Sequence, residues 1–317
     1  MRLLPEELFR LALFFGAVLT VYVLAVVFAV RWLREFRAGA AISHSRGFLR
    51  FRRVIFFLAG LGTVCVAYGL LIEPYWLEVT HVHLASPKLA GASRPIRILF
   101  FADLHSDPAP RLEEKLPDVA ASLHPDVILF AGDAVNSPES LPIFQRCFTR
   151  LAQVAPTFAV RGNWDTWDAD FWGGTGAKEL NGESVRVPLS GTEIWIAGVS
   201  YENESTIPTA LDQIPRGRLA ILLYHTPDEV AQATAHHADL YLAGHTHGGQ
   251  VALPFYGALI TLSRYGKKYE AGLYQVGATA LYVNRGVGLD GGPLPRVRFF
   301  ARPELTLIEV SPPPAGR

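Results

Sequence analysis

Residues 97–107 read RILFFADLHSD. An unbroken run of large apolar side chains is typical of a strand that is buried on both faces of a sheet. The run ends at Ala102 and is followed by Asp103 and His105. Carboxylate and imidazole groups are common ligands of cations in proteins. This segment therefore predicts a buried strand that presents polar groups at its carboxyl end.

Four further apolar runs end in the same way: DVILFAGD (126–133), TFAVRGNWD (157–165), LAILLYHTPD (219–228) and ADLYLAGHTHGGQ (238–250). The polar residues that follow them are Asp133, Asn163, His225, His245 and His247. A single Asp after a strand is most often a helix cap. Five such ends predict one shared site instead, because ligands of α/β sheets bind at the carboxyl edge. Gly132, Gly162 and Gly244 are expected to let the backbone turn sharply there.

The remaining pattern from residue 76 onward alternates short apolar runs with helix-like stretches, which predicts an α/β domain. The predicted strands are 76–84, 96–101, 126–130, 157–160, 193–197, 220–223, 240–242, 280–283 and 305–310. The predicted helices are 112–122, 142–153 and 227–236. The many late strands favour a second sheet, and hence a sandwich with helices outside.

Two uncharged runs, 11–30 and 54–72, precede this domain. Each approaches the roughly 20 residues that cross a hydrocarbon core, so we predict a transmembrane hairpin in region 1–75, followed by the α/β domain in 76–317. The alternatives are a buried helix for either run, or a signal peptide for the first. Arg31 directly follows the first run, where a signal peptide would have a small-residue cleavage site.

The connector between the two runs is strongly basic. Residues 31–53 hold seven arginines and one acid, Glu35. The positive-inside rule keeps such a connector in the cytoplasm, so two spans place the domain 76–317 on the extracytoplasmic side of the membrane. A single span would reverse that side.

Composition excludes several classes of function. Lys+Arg and Asp+Glu number 29 each, which gives no electrostatic reason to expect nucleic acid binding. Two cysteines are too few for a disulfide framework or a cysteine-based zinc site. Charged residues make up 18% of the chain, and this low share indicates either a partly membrane-embedded protein or a large buried sheet.

Asp and His ligands without Cys suit divalent Mn, Fe, Zn or Mg. The set is too large for one tetrahedral site and large enough for two ions that share a carboxylate. Two such ions are a common device for cleaving phosphoesters.

The ordered motifs D-L-H, G-D, G-N-x-D, a mid-chain His and G-H-T-H resemble those of the calcineurin-like metallophosphoesterase superfamily. The resemblance covers about residues 77–310. IEPYWLEVTHVHL (72–84) and GHTHGGQ (244–250) are similar to its bacterial membrane-associated branch, which includes phosphodiesterases and a lipid A pathway enzyme. The resemblance implies a four-layer αββα sandwich, here preceded by the hairpin, in a protein of the bacterial inner membrane.

The resemblance also implies roles for the ligand-type residues. The first metal would be held by Asp103, His105 and His247. Asp133 would bridge, and the second metal would be held by Asn163, His225 and His245. Asp133, Asn163 and Asp165 are the expected catalytic group, with Asp165 orienting its neighbours or forming a turn. Gln250 either shapes the site or pins the turn.

The third motif departs from the family, which normally has G-N-H where this chain has Gly162-Asn163-Trp164. The family histidine contacts the phosphate and helps to protonate the leaving group. An indole N–H does not titrate, so we expect slow turnover or a substrate with a good leaving group. Trp164 either binds substrate or packs the loop. Arg161 and Arg285 are expected either to contact an anionic group of the substrate or to play surface roles.

The sequence therefore predicts a membrane-anchored hydrolase with two divalent metal ions. Its expected substrate is a phosphodiester or pyrophosphate, either a small molecule or an envelope or lipid-linked compound, attacked by a metal-bridged hydroxide. The alternative is a catalytically weak or silent metal-binding regulatory protein of the membrane, which Trp164 motivates.

Overall fold

The structure is a computed structural model that describes residues 3–39, 43–167, 169–189, 191–290 and 296–312 of the 317-residue chain. Its α-helices are α1 (Pro5–Arg37), α2 (Arg46–Leu71), α3 (Leu116–Ser122), α4 (Leu141–Val154), α5 (Ile207–Asp212) and α6 (Val230–Ala235). Its strands are β1 (Glu78–Ala85), β2 (Ile96–Phe101), β3 (Val127–Phe130), β4 (Thr157–Ala159), β5 (Lys178–Glu179), β6 (Glu183–Leu189), β7 (Thr192–Val199), β8 (Leu219–Tyr224), β9 (Leu240–Ala243), β10 (Ala252–Leu253), β11 (Gly257–Ala258), β12 (Gly272–Val276), β13 (Thr279–Val283) and β14 (Glu304–Ser311).

Two six-stranded mixed sheets form the domain after α2. The first has the order β1-β14-β2-β3-β4-β5, and the second has the order β12-β13-β9-β8-β7-β6. Strands β2, β3, β4 and β5 run parallel in the first sheet, as do β13, β9, β8 and β7 in the second. Each sheet therefore brings several carboxyl ends to one edge.

Alternation along the central strands separates the layers. Ile98 and Phe100 of β2 face the second sheet and pack in a core with Ile221 and Leu242. The intervening residues of β2 point to the other side, where they pack with α3 and α4. The outer face of the second sheet is covered in the same way by α5 and α6. The result is the four-layer αββα sandwich that the resemblance implied.

The first two helices form an antiparallel pair. Ala25 and Phe28 of α1 are buried against Ile55 and Ala59 of α2, while most other apolar side chains of the pair are exposed. Both helices are long and apolar enough to cross a membrane. Helix α1 extends beyond the uncharged run 11–30 at both ends, into an acidic first turn and a basic last turn. Helix α2 begins before the run 54–72, in an arginine-rich segment, and ends at Leu71.

The helix pair is hydrogen-bonded to the domain at the amino end of α1 and around the carboxyl end of α2. The Glu7 carboxylate accepts from the backbone N–H of Thr261 at 2.8 Å. The Glu73 carboxylate, which is 1% exposed, accepts from the N–H groups of Phe300 and Ala301 at 3.0 and 2.6 Å. The carbonyl of Gly69 accepts from the N–H of Arg298 at 3.0 Å. The basic connector lies at the opposite end of the pair.

Several predicted bounds were wrong. Helix α3 begins at Leu116 rather than at residue 112, because Glu113 accepts hydrogen bonds from the N–H groups of Arg111 and Leu112 and holds a turn there. The predicted helix 227–236 is a 3₁₀ turn at Pro227–Glu229 followed by α6. Strands β5, β6, β10, β11 and β12 were not predicted.

Candidate metal centre

The candidate ligands lie where the two sheets meet at their carboxyl edges. Asp103, Asp133 and Asn163 follow the adjacent strands β2, β3 and β4 of the first sheet. His225 and His245 follow the adjacent strands β8 and β9 of the second sheet. The backbone ties the first group together, since the N–H of Asp103 donates to the carbonyl of Gly132 at 2.9 Å. Residues that are far apart in the chain thus converge.

The side chains form two groups that can each hold a metal ion. Within each group the candidate ligand atoms lie within 4.8 Å of one another, and all the side chains are buried. The members of the first group are Asp103, His105 and His247, and those of the second are Asp133, His225 and His245. Asn163 adjoins the second group, with its Oδ1 2.9 Å from Nε2 of His225. All seven expected ligands are therefore brought to one place.

Asp133 stands between the two groups. Its Oδ2 lies 3.3 Å from Nε2 of His225 and 3.5 Å from Nε2 of His105, which belongs to the other group. Its Oδ1 accepts from the backbone N–H of Trp164 at 2.8 Å. This carboxylate therefore adjoins candidate ligands of both groups.

The donor set fits divalent cations. His225 donates from Nδ1 to the carbonyl of Ala131 at 2.7 Å, so its Nε2 faces the oxygens of Asn163 and Asp133. Against the effect of burial, the charge of Asp133 raises the pKa of His225 to about 9, so Nε2 carries a proton that a metal ion would displace. Nε2 of His105 is buried and has no hydrogen-bond partner among the residues that the structure describes. A positive ion is the group that satisfies such an arrangement.

Electrostatics support the same conclusion. Burial raises the pKa of the Asp103 carboxyl to about 8, and the charge of Asp133 contributes to the rise. Burial lowers the pKa of His245 to about 3, and it also lowers the pKa values of His105 and His247, so these rings are neutral. Neutral imidazoles are the form that binds metal ions, and a cation bound beside Asp103 would favour the ionised form of its carboxyl.

The backbone is strained at the ligands. Five of the seven have positive φ angles between 41° and 71°: Asp103, His105, Asp133, His245 and His247. Such angles are uncommon for residues with a Cβ atom and cost of order 1–3 kcal/mol each. Strain concentrated in one cluster is typical of a functional site.

The three glycines before the ligands serve two different purposes. Gly132 has a φ of 91° and turns the chain, as predicted. Gly162 and Gly244 do not have positive φ angles. Glycine is required at these two positions because neighbouring atoms leave no room for a Cβ atom. A Cβ atom at Gly162 would be 2.1 Å from Oδ1 of Asp133, and one at Gly244 would be 2.5 Å from Oδ2 of Asp103. For these two residues the predicted reason was wrong.

Asp165 holds the loops of the site. Its Oδ2 accepts from the N–H groups of Asp133 and Gly162 at 2.8 and 2.9 Å, and its Oδ1 accepts from that of Ala134 at 2.8 Å. Both carboxylate oxygens are used in this way, so the geometry favours a positioning role over direct contact with a substrate.

Asn136 is a site residue that the sequence did not reveal. Its Nδ2 donates to the carbonyls of His105 and Leu289 at 3.0 Å each. Its Oδ1 therefore accepts from Nδ1 of His105 at 2.9 Å, which directs the Nε2 lone pair toward the metal centre. Its place in GDAVN, three residues after Asp133, was the available signal, but an Asn after a strand is ordinary turn chemistry.

Arg298 was also missed. Its guanidinium is fully buried and donates to the carbonyls of Arg285, Gly288 and Ala301. One of its nitrogens lies 3.5 Å from Nδ1 of His247. Burial lowers the pKa of Arg298 to about 9, so it remains a cation at neutral pH. No local pattern in RVRFF (296–300) distinguishes it from surface arginines.

Trp164 is half-buried beside the centre. Its ring meets that of His105 edge to face, with the centroids 5.8 Å apart. The side chain at this position thus lies next to a candidate metal ligand. Trp167 of the same loop is partly buried and packs against the core between the first sheet and its helices.

Arg161 and Arg285 have structural partners. Arg161 pairs with Glu179 at 2.8 Å and donates to the carbonyl of Ala169. Arg285 pairs with Glu78 and Glu304 at 2.7 and 3.2 Å. These contacts favour structural roles for both arginines rather than binding of an anionic substrate.

Gln250 connects two segments beside the site. Its side-chain Oε1 accepts from the N–H of Asp290 at 2.9 Å, and its carbonyl accepts from the N–H of Phe299 at 3.0 Å. Of the two roles expected for it, these contacts favour pinning the turn after His247.

Comparison with known proteins agrees with this geometry. The family model described as calcineurin-like phosphoesterase matches residues 96–249, which include all seven candidate ligands. The uncharacterized metallophosphoesterase YkuE of Bacillus subtilis is 32% identical over an alignment of 260 residues that covers 76% of this chain and 88% of that protein. The phosphodiesterase YaeI of Escherichia coli is 33% identical over an alignment of 258 residues that covers 75% of this chain and 90% of that protein.

A bovine relative described as a transmembrane protein with metallophosphoesterase domain is 27% identical over an alignment of 275 residues that covers 78% of this chain and 60% of that protein. The order of the motifs, the two groups of ligands and the extent of these matches lead to one assignment. The chain belongs to the calcineurin-like metallophosphoesterase family.

Proposed function

We propose that this chain is a membrane-anchored phosphoesterase that uses two divalent metal ions to hydrolyse phosphodiester or pyrophosphate bonds. The observation that carries the proposal is the position of Asp133 within 3.5 Å of histidine nitrogens from both ligand groups. When bound, two such ions supply an activated water and stabilise charge on the phosphoryl oxygens.

The residues of the chain prepare the site for this chemistry. Asn136 and the carbonyl of Ala131 fix His105 and His225, so that each ring directs its Nε2 atom inward. Asp165 fixes the loops that carry Asp133 and Asn163. Trp164 stands at the edge of the centre and offers no titratable proton. Protonation of the leaving group is therefore weak, which favours substrates whose leaving group is already stable as an anion.

The activity is tested with purified, detergent-solubilised protein that has been stripped of metals and reloaded separately with Mn, Fe, Zn or Mg. We expect hydrolysis of bis-p-nitrophenyl phosphate by at least one loaded form, and no hydrolysis by the stripped form. Metal analysis of the active form should give about two ions per chain. Hydrolysis that survives complete metal removal would contradict the proposal.

A metal-binding regulatory protein without turnover is the second candidate, and Trp164 is the observation that favours it. Such a protein would bind the ions but would not hydrolyse bis-p-nitrophenyl phosphate. The complete set of seven ligands favours the hydrolase, because a silent protein has no need of groups that activate water.

We further propose that the protein resides in a bacterial inner membrane with its catalytic domain on the extracytoplasmic side. The domain contacts the amino end of α1 and the carboxyl end of α2, whereas the seven arginines of the connector lie at the other end of the pair. A basic connector is retained in the cytoplasm. An envelope or lipid-linked substrate would then be within reach.

This topology predicts opposite results for two reporters fused to the carboxyl terminus. An alkaline phosphatase fusion, which needs an oxidising compartment, should be active. A green fluorescent protein fusion, which fails to fold after export through the general secretion pathway, should be dark. The reverse pair of results would place the catalytic domain in the cytoplasm.

A further inference from the structure

A narrow apolar groove lies between the helix pair and the catalytic domain. Its volume is about 520 Å³, within the range of small-molecule sites. One wall is formed by Phe14 and Val18 of α1 with Leu61 and Cys65 of α2. The other wall belongs to the domain and includes the segment 249–251.

The groove runs along the helix axes into the region that the membrane occupies. It is lined from Leu11 to Tyr22 on α1 and from Gly69 back to Leu58 on α2. Eleven residues of helix correspond to about 17 Å, which matches one leaflet of a hydrocarbon core about 30 Å thick. Near the end of the groove that is farther from the domain, the hydroxyl groups of Tyr22 and Thr63 form a hydrogen bond between the two helices at 3.0 Å.

The lining and the length of the groove select its occupant. The side chains that line it on α1 and α2 are apolar apart from Tyr22 and Cys65. An extended hydrocarbon chain from the surrounding leaflet matches this apolar lining and the length of about 17 Å.

The domain end of the groove adjoins the metal centre. Gly249 lines the groove and follows the candidate ligand His247 by two residues, so their Cα atoms are at most about 7 Å apart. Gln250, which also lines the groove, bonds to the N–H of Asp290. A molecule whose chain fills the groove would therefore have its polar end close to segment 247–250, which carries the candidate ligand His247.

We infer that the groove between α1, α2 and segment 249–251 binds the hydrocarbon chain of the substrate, so that the substrate is an amphiphilic phosphoester drawn from the leaflet next to the domain. This inference rests on the proposed function. The helix pair then serves as part of the substrate site as well as an anchor.

The test compares two phosphodiesters that share one leaving group, p-nitrophenyl methyl phosphate and p-nitrophenyl dodecyl phosphate. The metal-loaded full chain in nanodiscs should prefer the dodecyl ester by at least about tenfold in kcat/KM, since each buried methylene contributes up to ~0.8 kcal/mol. Cys65→Trp places an indole in the groove and should bring the ratio of the two kcat/KM values close to one. Val64→Trp is the matched control, because Val64 is exposed on the same helix and is not part of the groove lining; the ratio should persist.

A second readout does not depend on turnover. A dodecyl phosphodiester with a photoreactive diazirine on its chain should cross-link to 58–69 or 249–260 in the wild-type protein, and Cys65→Trp should reduce the yield. Hydrolysis of both esters at equal kcat/KM by the wild-type protein would overturn the inference alone. So would a preference that Cys65→Trp leaves unchanged, with cross-links elsewhere. Failure to hydrolyse either ester would overturn the proposed function and the inference with it.

Discussion

Replacing Asp133 with asparagine should lower the hydrolysis of bis-p-nitrophenyl phosphate by about 10³-fold or more, equivalent to ~4 kcal/mol of transition-state stabilisation. The reason is geometric: Asp133 is within 3.5 Å of His105 in one ligand group and of His225 in the other. Loss of its negative charge should weaken binding in both groups. Metal analysis should therefore show a fall in content along with the loss of rate.

The asparagine variant should remain folded. Its amide oxygen can still accept from the N–H of Trp164, as Oδ1 of Asp133 does. The substitution also removes a negative charge that raises the pKa of Asp103 in the metal-free protein. Asp212→Asn is the matched control, because Asp212 is an exposed acid at the end of α5 that pairs with His236. A full rate in Asp133→Asn, or an equal loss in Asp212→Asn, would exclude the proposed mechanism.

Replacing Trp164 with histidine should raise the hydrolysis of alkyl phosphodiesters by about 10²-fold. The position is suited to a general acid, because the present ring lies edge-on to His105 with centroids 5.8 Å apart. An alkoxide leaving group needs a proton, whereas p-nitrophenolate does not. The gain should therefore be large for a methyl ester and near zero for bis-p-nitrophenyl phosphate, as measured by kcat for each.

Trp167→His is the control for this experiment. Trp167 belongs to the same loop but packs against the core beside the first sheet, so a histidine there should not accelerate either ester. An equal gain for alkyl and aryl esters in Trp164→His would point to better access rather than proton donation. No gain for the alkyl ester, with metal content and folding intact, would show that this position does not limit turnover.

Central strands of the fold could be predicted because they are buried on both faces. The run at 96–101 appears as β2 with the predicted bounds, and the run at 126–130 appears one residue shorter as β3. Strands such as β6, which reads ESVRVPL, escaped because they lie at sheet edges and mix charge and proline with apolar residues. Edge strands are fixed by their partner strand, and that information is not local.

The same distinction between local and long-range information applies to the residues of the candidate site. Ligand types and their order could be read from strand ends, since each ligand follows an apolar run directly. Asn136 and Arg298 act through other residues, and their contacts join segments that are 31 and 51 positions away from the histidines that they touch. Arg161 and Arg285 show the converse case, because proximity to a motif suggested substrate contacts while the fold supplied carboxylate partners.

The Glu73 carboxylate has a consequence for anyone who wishes to study the catalytic domain in isolation. A protein shortened to begin at Trp76 would lose the acceptor for two backbone N–H groups at residues 300 and 301, as well as the Gly69 carbonyl that receives the N–H of Arg298. Arg298 lies beside His247, so detaching the anchor would loosen the segment behind a metal ligand. Low activity in such a fragment would report a damaged site rather than the intrinsic rate of the enzyme.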